Sequence, residues 1–183
     1  QARKTFEYLR NISFNKAYSS SMHRPFETAQ IILQKNKDLK IEKIDSLVEI
    51  SHGLWEGKLE SEIKEEWPDL LNNWHDKPEE VIMPEGESIK DVSERSIKAF
   101  DNICLTQENN DLTLLVAHDA VNKTLICNIL GINYSNIWMI KQGNGGITVI
   151  DLFNDPSKTP VISALNITTH LGGIIDSTAS GAL

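Results

Sequence analysis

Leu112-Thr113-Leu114-Leu115-Val116-Ala117 is a near-continuous apolar run, the pattern of a strand buried on both faces and hence central in a covered sheet. Such a strand needs an amphipathic layer on each side, and the chain offers several. Gln1 to Arg10 carries Ala2, Phe6 and Leu9 at helical spacing. A second helix is predicted from Pro25, with Phe26, Ala29, Ile32 and Leu33 on one face as far as the polar Lys35-Asn36-Lys37-Asp38 break. Ser88 and Asp91 resemble a capping box, opening a third helix through Val92, Ile97, Phe100 and Ile103 that Asn109-Asn110-Asp111 would end. A fourth runs from about Ala120 to Leu130 and stops at Gly131. Further strands are expected at Phe14 to Tyr18, Leu47 to Ile50, Ile147 to Leu152 and Val161 to Ile167. Trp138 to Gln142, the turn Gly143-Asn144-Gly145-Gly146 and the strand from Ile147 read as a hairpin. Residues 59–80, with Trp67, Leu70, Leu71 and Trp74 at helical spacing, read as a helical excursion over the core. Strands alternating with helices imply an α/β three-layer sandwich: a mostly parallel central sheet, helices on both faces, and a ligand site outside the carboxyl ends of the strands.

The 183 residues, 40% of them hydrophobic, suffice for one substantial core. A formal charge of -8 argues against nucleic acid or an anionic membrane as partner, since either needs a basic face. A small anionic ligand stays compatible, because a few local charges govern a pocket. Cys104 and Cys127 lack metal-ligand spacing and read as two reduced, buried thiols, which suits a cytoplasmic protein. No apolar run approaches the roughly 20 residues of a membrane helix. The Asn-x-Ser/Thr patterns at Asn11, Asn122, Asn133 and Asn166 are taken as chance. The chain opens at Gln1 inside a helical pattern without a cap, as a piece of a longer polypeptide is expected to.

Several side chains invite chemistry. Arg24 falls at a helix entrance, where a guanidinium and free backbone amides together suit phosphate oxygens; an ordinary surface arginine fits the same position. Glu49 stands between Val48 and Ile50, just before the glycine-bracketed Gly53-Leu54-Trp55-Glu56-Gly57. At a pocket edge, partial burial would favour its neutral, proton-donating form; on the solvent face of a strand it would be an ordinary carboxylate. His118 ends the apolar strand and precedes a helix, a position for hydrogen bonding to an anion or for a purely structural imidazole. Asp119 and Asn122 read as caps of that helix. His23, His52, His75 and His170 share no metal-like spacing, and Trp55, Trp67 and Trp74 read as packing residues. Ser19-Ser20-Ser21 lacks the glycine elbow of a serine nucleophile.

Taken in order, four segments resemble the histidine phosphatase, or phosphoglycerate mutase-like, superfamily. They are Tyr18-Ser19-Ser20 with Arg24, Thr28 and Ala29; Glu49 with Gly53-Leu54-Trp55-Glu56-Gly57; Pro84-Glu85-Gly86-Glu87-Ser88; and Val116-Ala117-His118. The resemblance implies residues 1–183 as a single domain of phosphoglycerate mutase-like fold that lacks its first strand, the one ending in Arg-His-Gly. It implies phosphoryl transfer through a phosphohistidine, with Glu49 and His118 catalytic and Arg24, Ser19 and Asn144 binding substrate. Neither a metal nor an organic cofactor is implied. The implied partner is a small phosphorylated metabolite such as α-ribazole phosphate, carboxyarabinitol phosphate or phosphoglycerate. Hydrolysis is favoured, with mutase-type transfer and a non-catalytic phosphate-binding remnant as the other readings. The tail from Asn166 to Leu183 is similar to the end of two-domain members from photosynthetic bacteria, so an N-terminal phosphatase-like domain in the same chain is a further expectation. Two departures stand out. Asp119 follows His118 where most of the family has glycine, and the nucleophile is not among the five histidines, so this fragment alone is expected to be inactive.

Overall fold

Lys16–Ser20 forms β1, whose last four residues are all buried, and this strand lies in the middle of the main sheet. A computed structural model describes residues 1–153, 155 and 158–172. β1 pairs in parallel with β2 (Ile41–Ile44) on one side and with β3 (Thr113–Val116) on the other, giving the order β2-β1-β3. A parallel connection requires a crossover, and helices supply it: α2 (His23–Ile32) joins β1 to β2. Together α3 (Glu60–Glu66), α4 (Pro68–Asp76) and α5 (Ile89–Leu105) join β2 to β3. Next come α6 (Asp119–Leu130), β4 (Ile147–Asp151) and β5 (Val161–Ile167); α1 (Ala2–Leu9) precedes β1.

Successive side chains of a strand point to opposite faces, and β1 uses both. Tyr18 joins the large core built from Ile63, Leu71, Trp74, Val92, Phe100, Val121 and Leu125 of α3 to α6. Ala17 turns to the other face, where Phe6, Leu9, Ala29 and Ile32 of α1 and α2 are buried outside that core. The molecule is therefore an α/β sandwich with a parallel sheet flanked by helices, as the alternation of elements predicts.

The apolar run is not the centre of the sheet. All four β3 residues are only half-buried, because among the described residues no strand pairs with its outer edge. Leu47 to Ile50 is not a strand either: Asp45–Leu47 is a 3-10 turn and extended chain follows. A side chain, Arg95, takes the carbonyls of Ser46, Val48 and Glu49 in place of a neighbouring strand, so the apolar Leu47 and Ile50 enter the core without a ladder. The strand lies just upstream in Ile41–Ile44, with Glu42 and Lys43 exposed. The hairpin also has other partners. Tyr134–Met139 is a 3-10 helix, held by the Trp138 indole N–H donating to Trp74 O (2.8 Å) and by the two rings packing edge to face. β4 pairs antiparallel with β5 instead, from Ile147 opposite Ile167 to Asp151 opposite Val161. The Gly143 to Gly146 turn stands where predicted, with Gly146 N–H bonded to Gly143 O at 2.8 Å.

Local end signals hold better than pairings. Gly131 closes α6 in the left-handed region at φ +65, and Trp55 and Trp74 are buried while Trp67 is half-buried. Pro25 is the third residue of α2 and not the first, which the fold tolerates because first-turn amides have no helical partner. α5 stops at Leu105, before the Asn-Asn-Asp segment, where Thr106 N–H caps Ile103 O and Cys104 O. Cys104 is half-buried and Cys127 buried, both free. Among the described residues no helix is long and apolar enough to cross a membrane. The tail beyond Gly172 lies outside the described residues.

The Ser88 hydroxyl accepts from Asp91 N–H (3.2 Å) while Asp91 Oδ2 accepts from Ser88 N–H (2.9 Å), the reciprocal cap that starts α5. Replacing Ser88 with Ala is expected to destabilise the fold by about 1 kcal/mol, read as a lower urea midpoint at unchanged m-value.

Candidate active site

Parallel pairing sets Ser19 beside Val116 and Ser20 beside Ile44, so all three strands of the main sheet end along one edge. His118 emerges there as the N-cap of α6, 5% exposed, with its ring Nε2 2.9 Å from Ser20 Oγ. Glu49 arrives from the end of β2. Its Oε2 lies 3.9 Å from His118 Nδ1 and accepts from Asp119 N–H at 3.2 Å, while Oε1 accepts from Ile50 N–H at 3.0 Å. Arg24 sits in the first turn of α2, exposed, close enough for its charge to act on the His118 ring. A carboxyl group and an imidazole thus meet at the strand ends, with the exposed Arg24 guanidinium at the start of α2 close enough to act on the imidazole by its charge.

Burial governs the proton affinities. It pushes His118 down to about 4, helped by the positive charges of Arg24 and Arg95, so the ring is neutral at neutral pH and its contact with Glu49 is not then an ion pair. Burial also pushes Glu49 up, with the Asp119 charge adding to it and backbone amides of Ile50, Ala120 and Asp119 opposing. A carboxyl group held toward its acid form beside a neutral imidazole is suited to giving a proton to a departing oxygen.

Two glycine loops brace each other just after Glu49 in the chain. Leu54 N–H donates to Pro84 O, and Glu87 N–H to Ser51 O, each at 2.9 Å. A Cβ on Gly53, whose φ is +53, would stand 2.1 Å from Pro84 O; one on Gly86 would stand 2.5 Å from Ser51 O. Only glycine lets the two backbones approach so closely. Arg95 completes the support, binding Glu87 through Nε to Oε1 (2.7 Å) and Nη2 to Oε2 (2.9 Å).

The remaining predicted contacts are less central. Ser19 is fully buried, its hydroxyl donating to Ser20 O at 2.9 Å, and strand alternation turns it away from Tyr18's face; Ser20 is the serine that meets His118. Asn144 is exposed in the turn before β4, and no hydrogen bond among the described residues joins it to Arg24, Glu49 or His118. Asp119 turns along its helix, Oδ2 accepting from Lys123 Nζ at 2.8 Å. His170 bonds Thr5 Oγ1 and Gly145 O, and His52 packs edge-on against Trp74. Among the described residues no three His, Cys, Asp or Glu side chains are grouped to hold a metal. Arg95 and Ser20 were not singled out from sequence. Arg95 contacts segments more than forty positions away, and Ser20 differs from Ser19 only in strand parity.

A family model described as "Histidine phosphatase superfamily (branch 1)" matches residues 1–167. Phosphoserine phosphatase 1 of Hydrogenobacter thermophilus is 31% identical over 172 residues, 94% of this chain and 79% of its own length. The 2-carboxy-D-arabinitol-1-phosphatase of Triticum aestivum is 31% identical over 155 residues, 84% of this chain and 30% of its own. Among solved structures, Bacillus stearothermophilus YhfR superposes with a TM-score of 0.84 at 23% identity, covering 93% of this chain and 82% of that one. An α-ribazole phosphatase from Shigella flexneri gives 0.78 at 23% identity, with 91% and 80% covered.

A histidine whose affinity falls from 6.5 to about 4 on folding is protonated more readily in the unfolded chain between those values, so its contribution is complete above 6.5 and is lost as pH falls toward 4. At 1.4 kcal/mol per unit the loss is on the order of 3 kcal/mol. Urea titrations at pH 7 and pH 4 are expected to show that much more acid destabilisation in the wild type than in His118→Gln. Equal acid sensitivity would return His118 to an ordinary solvated histidine.

Proposed function

The chain belongs to the histidine phosphatase superfamily, and from that premise we propose that it forms most of a domain hydrolysing a small alkyl phosphate monoester through a phosphohistidine. One observation carries the reading: a buried neutral His118 and a half-buried Glu49 carboxyl, 3.9 Å apart, at the strand ends near Arg24. The nucleophile is proposed to come from an Arg-His-Gly strand running beside β3. The half-buried outer edge of β3, with which no strand pairs among the described residues, supports this, since a strand there would extend the ladder.

In this scheme the incoming imidazole attacks phosphorus in line, forming the N–P bond as the P–O bond to the alcohol breaks. Arg24, the arginine of the proposed Arg-His-Gly strand and His118 hold the equatorial oxygens; with the Ser20 hydroxyl donating to Nε2, the neutral imidazole keeps its one N–H at Nδ1 to donate to phosphate. Glu49 gives its proton to the departing alkoxide, then takes one from the water that attacks phosphorus and frees the imidazole. Alkoxides are poor leaving groups, and a carboxyl held up by burial answers that need. Relatives named for phosphoserine and carboxyarabinitol phosphate support an alkyl ester as substrate class. Free Cys104 and Cys127 fit a reducing cytoplasm.

In the full-length polypeptide, Glu49→Gln is expected to lower kcat/KM for glycerol phosphate on the order of 100-fold and for nitrophenyl phosphate only a few-fold, because nitrophenolate leaves without a proton. Equal losses would remove Glu49 from the donor role. The wild-type rate on the alkyl ester should fall as pH rises through the raised Glu49 value, a limb absent with nitrophenyl phosphate. Arg24→Ala should weaken inhibition by inorganic phosphate roughly tenfold or more. Residues 1–183 alone should turn over neither ester; turnover by that fragment would put the nucleophile within it.

A further inference from the structure

Arg95 lies midway along α5, yet every N–H of its guanidinium is spent on the loop beneath Glu49 and on one carboxylate. Nη1 donates to Ser46 O (2.9 Å) and Val48 O (2.8 Å); Nη2 donates to Glu49 O (3.2 Å) and Glu87 Oε2 (2.9 Å); Nε donates to Glu87 Oε1 (2.7 Å). That uses all five donors of the side chain. Glu87 in turn accepts from Ser51 N–H at 2.9 Å, so the loop is gripped on both sides of Glu49. Both side chains are largely shielded, 20% and 25% exposed. Although burial alone would raise it, Glu87 titrates below its ordinary value because Arg95 and Ser51 bond its charged form.

We propose that Arg95, locked by Glu87, is the positioning residue of the proton donor: it fixes the carbonyls of residues 46, 48 and 49 so that the Glu49 carboxyl stays within reach of the departing oxygen. This rests on reading Glu49 as that donor. Among the described residues the segment pairs with no strand; Leu47 and Ile50 are buried and the Asp119 amide holds the carboxyl from one side, but without Arg95 three carbonyls lose their donors and the backbone that carries the carboxyl is free to shift. A displacement of about 1 Å slows a positioned transfer by up to about 100-fold. The effect acts on proton delivery, so esters that need none escape it.

Lysine keeps the charge but offers three donors from one nitrogen, which cannot span three carbonyls and both oxygens of a carboxylate. In the full-length polypeptide, Arg95→Lys is expected to lower kcat/KM for glycerol phosphate at least about tenfold more than for p-nitrophenyl phosphate. The ratio of the two esters is measured in one sample and does not depend on how much of it is folded. If Arg95→Lys does not accumulate, Glu87→Gln carries the same test. Combined with Glu49→Gln, either substitution should leave the ester ratio of Glu49→Gln unchanged, because the clamp works only through that carboxyl. Equal losses on both esters in Arg95→Lys and Glu87→Gln, with Glu49→Gln still discriminating, would make Arg95 a purely structural residue and overturn the proposal. A Glu49→Gln variant that does not discriminate would instead strike the donor reading itself.

Discussion

Parallel pairing of β1 with both its neighbours in one register is the constraint from which the site follows. Strands that run the same way finish at the same edge, and each must leave that edge through a loop or a helix start. β1 leaves into α2 and brings Arg24; β3 leaves into α6 and brings His118; β2 leaves into the loop that carries Glu49. Three residues distant in the chain converge because three chain reversals share one rim. The helix starts there add positive potential, which suits an anion.

The same burial that closes this rim sets its proton chemistry. Shielding from water disfavours charge on either group, so it lowers an imidazole and raises a carboxyl. His118 and Glu49 answer in opposite directions to one cause, and both are left neutral more readily than in water. Each departure opposes folding in some range of pH, which explains why neighbouring groups offset it: Ser20 Oγ for the imidazole, the amides of Ile50 and Asp119 for the carboxyl.

What the sequence revealed divides along the reach of each interaction. The Ser88 and Asp91 cap, the Gly131 stop and the glycine loops at Gly53 and Gly86 depend on backbone angles and contacts that residue type announces directly. Pairings do not work that way. Leu47 to Ile50 has a strand's composition, but a guanidinium from α5 takes its carbonyls; Trp138 to Gln142 looks like a hairpin arm, but its indole is committed to Trp74. Nor does a serine run carry any alternation, so parity alone sent Ser19 into the sheet and Ser20 to the imidazole. Arg24, Glu49 and His118 could be proposed from the sequence because each stands beside a motif that fixes where its chain segment turns.

Asp119, the departure from glycine beside the key imidazole, is reconciled with the site by its partners. A carboxylate beside a dianionic ester would oppose binding if it faced the rim. Here Oδ2 bonds Lys123 one turn further along α6, and a negative charge in a helix's first turn is favourable in itself. Its own amide meanwhile donates to Glu49 Oε2. What survives of its field acts on Glu49, whose proton it helps retain. On the proposed reading its charge favours the acid form of Glu49, while its second oxygen, Oδ1, is buried without a hydrogen-bond partner among the described residues.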